Sequence, residues 1–187
     1  MQVQQWRPGQ KVAGPVYVDT NIWVGFILSN HRLYRICSQL MTELFAAQIM
    51  ILYSHVVHQE ILWAVASQSF FDLYHRGRST KFGKDIYRRN KTAIWGRYGP
   101  RFGSVASLPG SFASSGLAIS CVPNDSKNWL DTMQPTHDYM LAALEPADAT
   151  HLSLAGLYAN TFITADADFV RAAGQLTHPT LTILHVR

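Results

Sequence analysis

Short apolar runs bounded by turn residues recur along the chain, separated by longer stretches in which apolar residues return every three or four positions. Val16 to Val18, Met50 to Tyr53, Ala118 to Cys121, Thr161 to Thr164 and Leu181 to Val186 have the length and content of buried strands. Between them, His31 to Ala47 carries Leu33, Ile36, Cys37, Leu40, Leu44 and Phe45 on one stripe, the spacing of a helix with a buried face. Ser54 stands where it would cap a helix running from His55 to about Phe71, with Val57, Ile61, Ala64 and Val65 turned inward. Pro146 suits the first turn of a helix from about Ala147 to Tyr158, and a short helix from Phe169 to Ala173 would stop at Gly174. Strands alternating with helices predict an α/β domain built on a mainly parallel sheet of about five strands.

The middle of the chain breaks this pattern. From Arg76 to Arg101 the cations Arg76, Arg78, Lys81, Lys84, Arg88, Arg89, Lys91, Arg97 and Arg101 face the single acid Asp85, so nine of the sixteen Lys and Arg residues fall here. Gly99 to Gly116, rich in Gly, Ser and Pro, follows and predicts an extended loop. Residues 67–124 therefore look like a basic helical and loop insertion in a single domain spanning 1–187. Cation runs are usually solvated helix faces. Here Phe82, Tyr87, Trp95, Tyr98 and Phe102 are interleaved with them, and rings beside cations suit single-stranded nucleic acid, with Lys81, Lys84, Arg88, Arg89, Lys91 and Arg97 as candidate RNA contacts.

Composition narrows the class without naming a function. With 48% hydrophobic and 15% charged residues the chain is globular, and the net charge of +4 favours a polyanionic partner. Cys37 and Cys121 fit neither a disulfide framework nor a zinc site with paired ligands, which points to a reducing compartment and hence to the cytoplasm. Met1 to Gly14 has no apolar h-region, and the longest apolar stretch, Leu44 to Tyr53, is much shorter than the ~20 residues a bilayer requires, so no membrane association is expected.

Chemistry concentrates in the carboxylates. A parallel α/β sheet binds ligands beyond the carboxyl ends of its strands. Asp19 follows directly on the first strand, Asp166 comes two residues after Thr164, and Asp168 follows it. Asp148 lies in the first turn of its helix, where the dipole favours an anion, and Glu60 is about one and a half turns into the helix that leaves the second strand. Carboxylates brought together repel one another unless a cation neutralises them, and a hard divalent ion such as Mg²⁺ or Mn²⁺ prefers such oxygen donors. Hydrolysis of a phosphodiester is the reaction such a site supports.

The segments VYVDTNIW (Val16 to Trp23), YSHVVHQEI (Tyr53 to Ile61) and PADATHLSLAGLYANTFITADADF (Pro146 to Phe169) resemble, in order, the three signature blocks of the PIN-domain family, and most nearly its VapC-type toxin ribonucleases. The resemblance covers Gly14 to Phe26, Ile49 to Ala66 and Met140 to Leu184. It implies a three-layer α/β/α sandwich and Mg²⁺- or Mn²⁺-dependent cleavage of RNA. Asp19, Glu60, Asp148 and Asp166 would be the metal-binding acids, Asp168 an accessory acid, and Asn21 and Thr164 polar groups that orient the acids or a metal-bound water. It further implies a homodimer and a small VapB-type antitoxin as partner. The basic region from 67 to 124 is longer than in the small toxins of that kind.

Other readings use the same residues. Asp19 could cap a turn, Glu60 could be solvated, Asp148 could serve only its helix dipole, and Asp168 is a fair N-cap for the helix at Phe169. An RNA-binding or adaptor protein would keep the fold without the chemistry. A Mg²⁺-dependent phosphatase of the haloacid-dehalogenase kind would want an aspartate two positions after Asp19, where Asn21 stands. His55 and His58 share a helix face and His151 lies one turn after Asp148, but with no H-E-x-x-H pattern they are expected to be surface or core residues. There is no G-x-S-x-G elbow and no phosphate-binding glycine loop.

Overall fold

The computed structural model of the protein describes residues 1–74, 82–123, 125–176 and 180–187. Six strands form one parallel sheet: β1 (Gln2–Gln5), β2 (Val16–Val18), β3 (Ile51–Tyr53), β4 (Ile119–Cys121), β5 (Thr161–Thr164) and β6 (Thr182–His185), in the order β1-β6-β5-β2-β3-β4. The helices are α1 (Thr20–Ile27), α2 (Tyr34–Ala46), α3 (His55–Tyr74), α4 (Lys84–Ser114), α5 (Ser126–Leu141), α6 (Pro146–Tyr158) and α7 (Ala167–Ala172). Every residue of β2, β3 and β5 is buried. Because successive side chains of a strand point to opposite faces, both faces of the sheet must be covered, which is the three-layer sandwich.

The connections fix which end of the sheet can bind. β2 leads to its neighbour β3, and β3 to β4, through α1 to α4; the chain then returns past both strands to β5 on the other side of β2 through α5 and α6. Right-handed crossovers put the first group of helices on one face and the second on the other. Strand order therefore reverses at β2, and the crevice opens beyond the carboxyl ends of β2 and β5. There α1 starts directly after β2, and α6 begins its descent across the sheet. The close approach of α1 to α2 rests on Gly25, where an added Cβ would meet Cys37 Sγ at 2.7 Å.

Four elements differ from the sequence expectation. The sheet has a sixth strand, β1, whose sequence Gln-Val-Gln-Gln offers no apolar run. As an exposed edge strand it needs none, because its register with β6 is held by the backbone ladder and by Trp6, which is buried and donates its N–H to His185 O at 2.9 Å. Residues 99–114 are helix rather than extended loop, the end of the long α4. Phe102 and Val105 are buried there, Ser104, Ser107 and Ser111 donate to carbonyls one turn back, and α4 packs along α3. Packing thus outweighs the poor helix propensity of Gly99, Pro100 and Gly103. Finally, α1 and α5 were not expected: α1 is a short helix inside the Asp19 motif, and Pro135 interrupts the pattern of α5. The described part of the region 67–124 accordingly includes the end of α3, all of α4 and the edge strand β4.

Candidate active site

Asp19 is the most deeply held acid. It caps α1, and its N–H donates to Ile163 O at 3.0 Å, which ties the carboxyl end of β2 to β5. One carboxylate oxygen accepts Thr20 N–H at 2.7 Å; the other accepts Asn21 Nδ2 at 2.6 Å and Thr164 Oγ1 at 2.7 Å. Asn21 Oδ1 in turn accepts the Ala165 N–H at 2.9 Å, and Thr164 Oγ1 accepts the Asp166 N–H at 2.9 Å. Asn21 and Thr164 thus clamp Asp19 and fix the loop carrying Asp166. Burial raises the Asp19 pKa above its usual value despite the opposing influence of His151 and of the donors from Thr164 and Thr20.

Glu60 reaches the same place from α3. Its Oε2 accepts Thr20 Oγ1 at 2.5 Å and His151 Nε2 at 2.8 Å. Burial pushes its pKa up, but these two donors outweigh burial and hold it below the ordinary glutamate value. A carboxylate only accepts, so His151 Nε2 carries a proton. Its Nδ1 lies 3.0 Å from the Tyr17 hydroxyl, which is 2.7 Å from Ser54 Oγ; all three side chains are buried. Burial lowers the His151 pKa, but Glu60, Asp19 and Asp148 raise it further, so its net shift favours the imidazolium.

His151 is the residue that sequence reasoning left out. Expected as a surface or core histidine, it is buried, and it lowers the pKa of Asp19, Glu60 and Asp148 alike. The available signal was its place three residues after Asp148, which puts both on one face of α6.

Asp148, in the first turn of α6, is half-buried, and no donor among the described residues bonds its carboxyl group. Burial first, then Asp19 and Asp166, raise its pKa to about 7 against the partial relief of His151. Asp166 caps α7 by accepting the Asp168 N–H at 2.8 Å. Asp168 itself is exposed and paired with Arg171, so the structure gives it to the helix and its ion pair rather than to the acid cluster. Four acids from four separate segments therefore share one electrostatic environment.

Oxygen donors of this kind fit a hard divalent cation. Among the described residues no three His, Cys, Asp or Glu side chains are grouped closely enough to hold one ion together. That arrangement still suits Mg²⁺, which keeps several waters and takes one or two carboxylates alongside substrate phosphates. Of the candidate RNA contacts, Lys84, Arg88, Arg89, Lys91 and Arg97 are exposed on α4, and Lys81 lies outside the described residues.

No protein-family model and no curated protein matches the sequence. Among solved structures, the chain is similar to one in the crystal structure of VapBC2 from Rickettsia felis bound to a DNA fragment from their promoter, with a TM-score of 0.51 and 14% identity over 91% of this chain and 97% of that one. That likeness shows the fold. Chains of DNA-bound VapBC from Salmonella typhimurium (TM-score 0.45, 13% identity, 91% and 96% covered) and of FitAcB from Neisseria gonorrhoeae (0.44, 15%, 91% and 96%) also match, and add nothing beyond it.

Proposed function

We propose that the protein is a divalent-metal-dependent ribonuclease that hydrolyses internal phosphodiester bonds of RNA, the toxin of a pair whose other member is a small VapB-type antitoxin. The observation that carries the reading is Asp148: a half-buried carboxyl group that no donor among the described residues bonds, pushed to about 7 by burial and by Asp19 and Asp166. A cluster so short of positive charge is built to gain some. Mg²⁺ or Mn²⁺ taking one or two carboxylates at a time from Asp19, Glu60, Asp148 and Asp166, with water and substrate phosphate completing its shell, would polarise the scissile phosphodiester and lower the pKa of a bound water. The chain's own residues divide the remaining work. Asn21 and Thr164 orient Asp19, Thr20 and His151 orient Glu60, and the imidazolium offsets part of the negative charge.

The fold shared with a chain of the VapBC2 structure supports the toxin–antitoxin assignment. A homodimer belongs to the same reading. On α5, Trp129, Leu130, Met133 and Leu141 form an apolar face exposed to 64%, 61%, 53% and 74%, which a second copy would cover.

Asp148→Asn is the cleanest test, because that side chain holds no hydrogen bond to the described residues whose loss would disturb the fold. The purified protein is expected to cut a mixed RNA pool with Mg²⁺ or Mn²⁺, to stop with EDTA, and to lose at least about a hundredfold in rate in the Asp148→Asn variant. Binding without cutting under every metal condition would replace the nuclease with a non-catalytic RNA-binding protein.

A further inference from the structure

Three residues along α3 from Glu60 stands Trp63, exposed to 39%, so it is the neighbour of Glu60 on the helix surface. Its ring lies 5.1 Å from Phe82 and 5.5 Å from Tyr87, centre to centre. Tyr87 lies in the first turn of α4, and its hydroxyl accepts Trp95 Nε1–H at 2.9 Å. Trp95, exposed to 48%, is stacked on the buried Phe102 at 4.3 Å and 20°. A continuous run of rings thus leads from the acid cluster along α4, with the two tryptophans at the surface and the others supporting them.

The cations fall on the same line. Lys84, Arg88, Lys91 and Trp95 occupy positions i, i+4, i+7 and i+11, which places them within an arc of roughly 60° on the helix. All four are exposed, and the one acid nearby, Asp85, makes only a solvent-exposed 3.5 Å pair with Arg88. Arg89 and Arg97 lie more than about 100° around the helix and are excluded from the stripe by the same geometry. Exposed indoles braced from beneath, at either end of a row of cations, match what an unpaired polynucleotide offers: base faces that stack and phosphates at regular intervals. A duplex hides its base faces, and an acidic protein segment supplies charge without rings of matching number.

We infer that Trp63 and Trp95, with Lys84, Arg88 and Lys91, form a track that binds single-stranded RNA and delivers it to the acid cluster. The inference rests on the ribonuclease reading for its direction, but not for the binding itself.

Binding to a fluorescein-labelled single-stranded 20-mer, measured by anisotropy in EDTA with the full chain, separates the two. Lys84→Glu with Lys91→Glu is expected to weaken binding at least tenfold and to flatten the dependence of log K on log salt by about 1.4. Trp95→Ala is expected to cost at least about fivefold on the single strand and to leave binding of the same sequence as a duplex within about twofold, with Trp95→Phe recovering most of the loss. Far-UV circular dichroism and Tm identify any variant that is merely misfolded, and the Lys84 and Lys91 substitutions, at exposed positions, are the arm least subject to that outcome. Wild-type affinity in both variants would overturn the track while leaving Asp148-dependent cutting, and hence the ribonuclease, intact. Loss of binding in a protein that cuts nothing would uphold the track and remove the ribonuclease.

Discussion

At the scale of single residues, the site is organised by who donates to whom. Tyr17, Ser54 and His151 are buried and bonded to one another, so deleting one atom strands two partners. Tyr17→Phe should destabilise the protein by about 2 kcal/mol, a fall of about 6 °C in Tm, because Ser54 and His151 Nδ1 are left without that contact. It should also slow cleavage through a less well held Glu60. A Tm unchanged within about 1 °C would mean that the relay contributes no stability.

Asp148 predicts a pH dependence whose sign can be worked out. Its folded pKa is about 7 and its ordinary value 3.8, so between them the folded chain binds a proton that the unfolded chain releases. Stability therefore falls as pH rises through that window, and the penalty is complete above about 7. In metal-free buffer Asp148→Asn should match the wild type near pH 4 and exceed it by about 3 °C near pH 8, a modest figure because the group is partly solvated. Thermal melts across that range check it, and equal Tm values near pH 8 would contradict the raised pKa.

Among the elements, α4 carries the sharpest test. Read from its sequence, Gly99 to Gly116 should be a loop, and Phe102 would then sit in a surface segment where truncation costs under about 0.5 kcal/mol. In the structure Phe102 is 3% exposed beneath Trp95 and packs into the core. Phe102→Ala should then cost about 3 kcal/mol in urea unfolding and reduce RNA affinity by loosening the indole above it. The short strands behave oppositely. β2 and β5 read directly from sequence because a strand buried on both faces is apolar throughout, whereas β1 did not, because an edge strand is specified by pairing rather than by its own side chains.

For the whole molecule, the acid cluster should be a source of strain that a cation relieves. Adding Mn²⁺ or Mg²⁺ at a hundred times its Kd should raise Tm by about 8 °C, and EDTA should reverse the gain. The rise should be larger near pH 8 than near pH 5, where Asp148 is protonated and does not attract the ion, and largely lost in Asp148→Asn. A metal-independent Tm at both pH values would argue against a metal site among these residues. Light scattering on the intact chain checks the proposed dimer, which is expected at twice the chain mass and which Trp129→Glu with Leu141→Glu should convert to monomer.

What the chain determined by itself was whatever depends on near neighbours. The alternation of apolar runs and helical stripes dictated a parallel α/β fold, and the positions of Asp19, Asp166 and Asp148 at strand and helix ends marked the edge on which they would gather. Those signals are legible because strand alternation, helix period and capping act over a few residues. Only the tertiary structure decided that His151 would face Glu60, that Asp168 would turn away to Arg171, and that Gly99 to Ser114 would be helix. Each of these is settled by a partner distant in sequence or by the core beneath it. Burial and packing at that range supply the energy that overrides local preference.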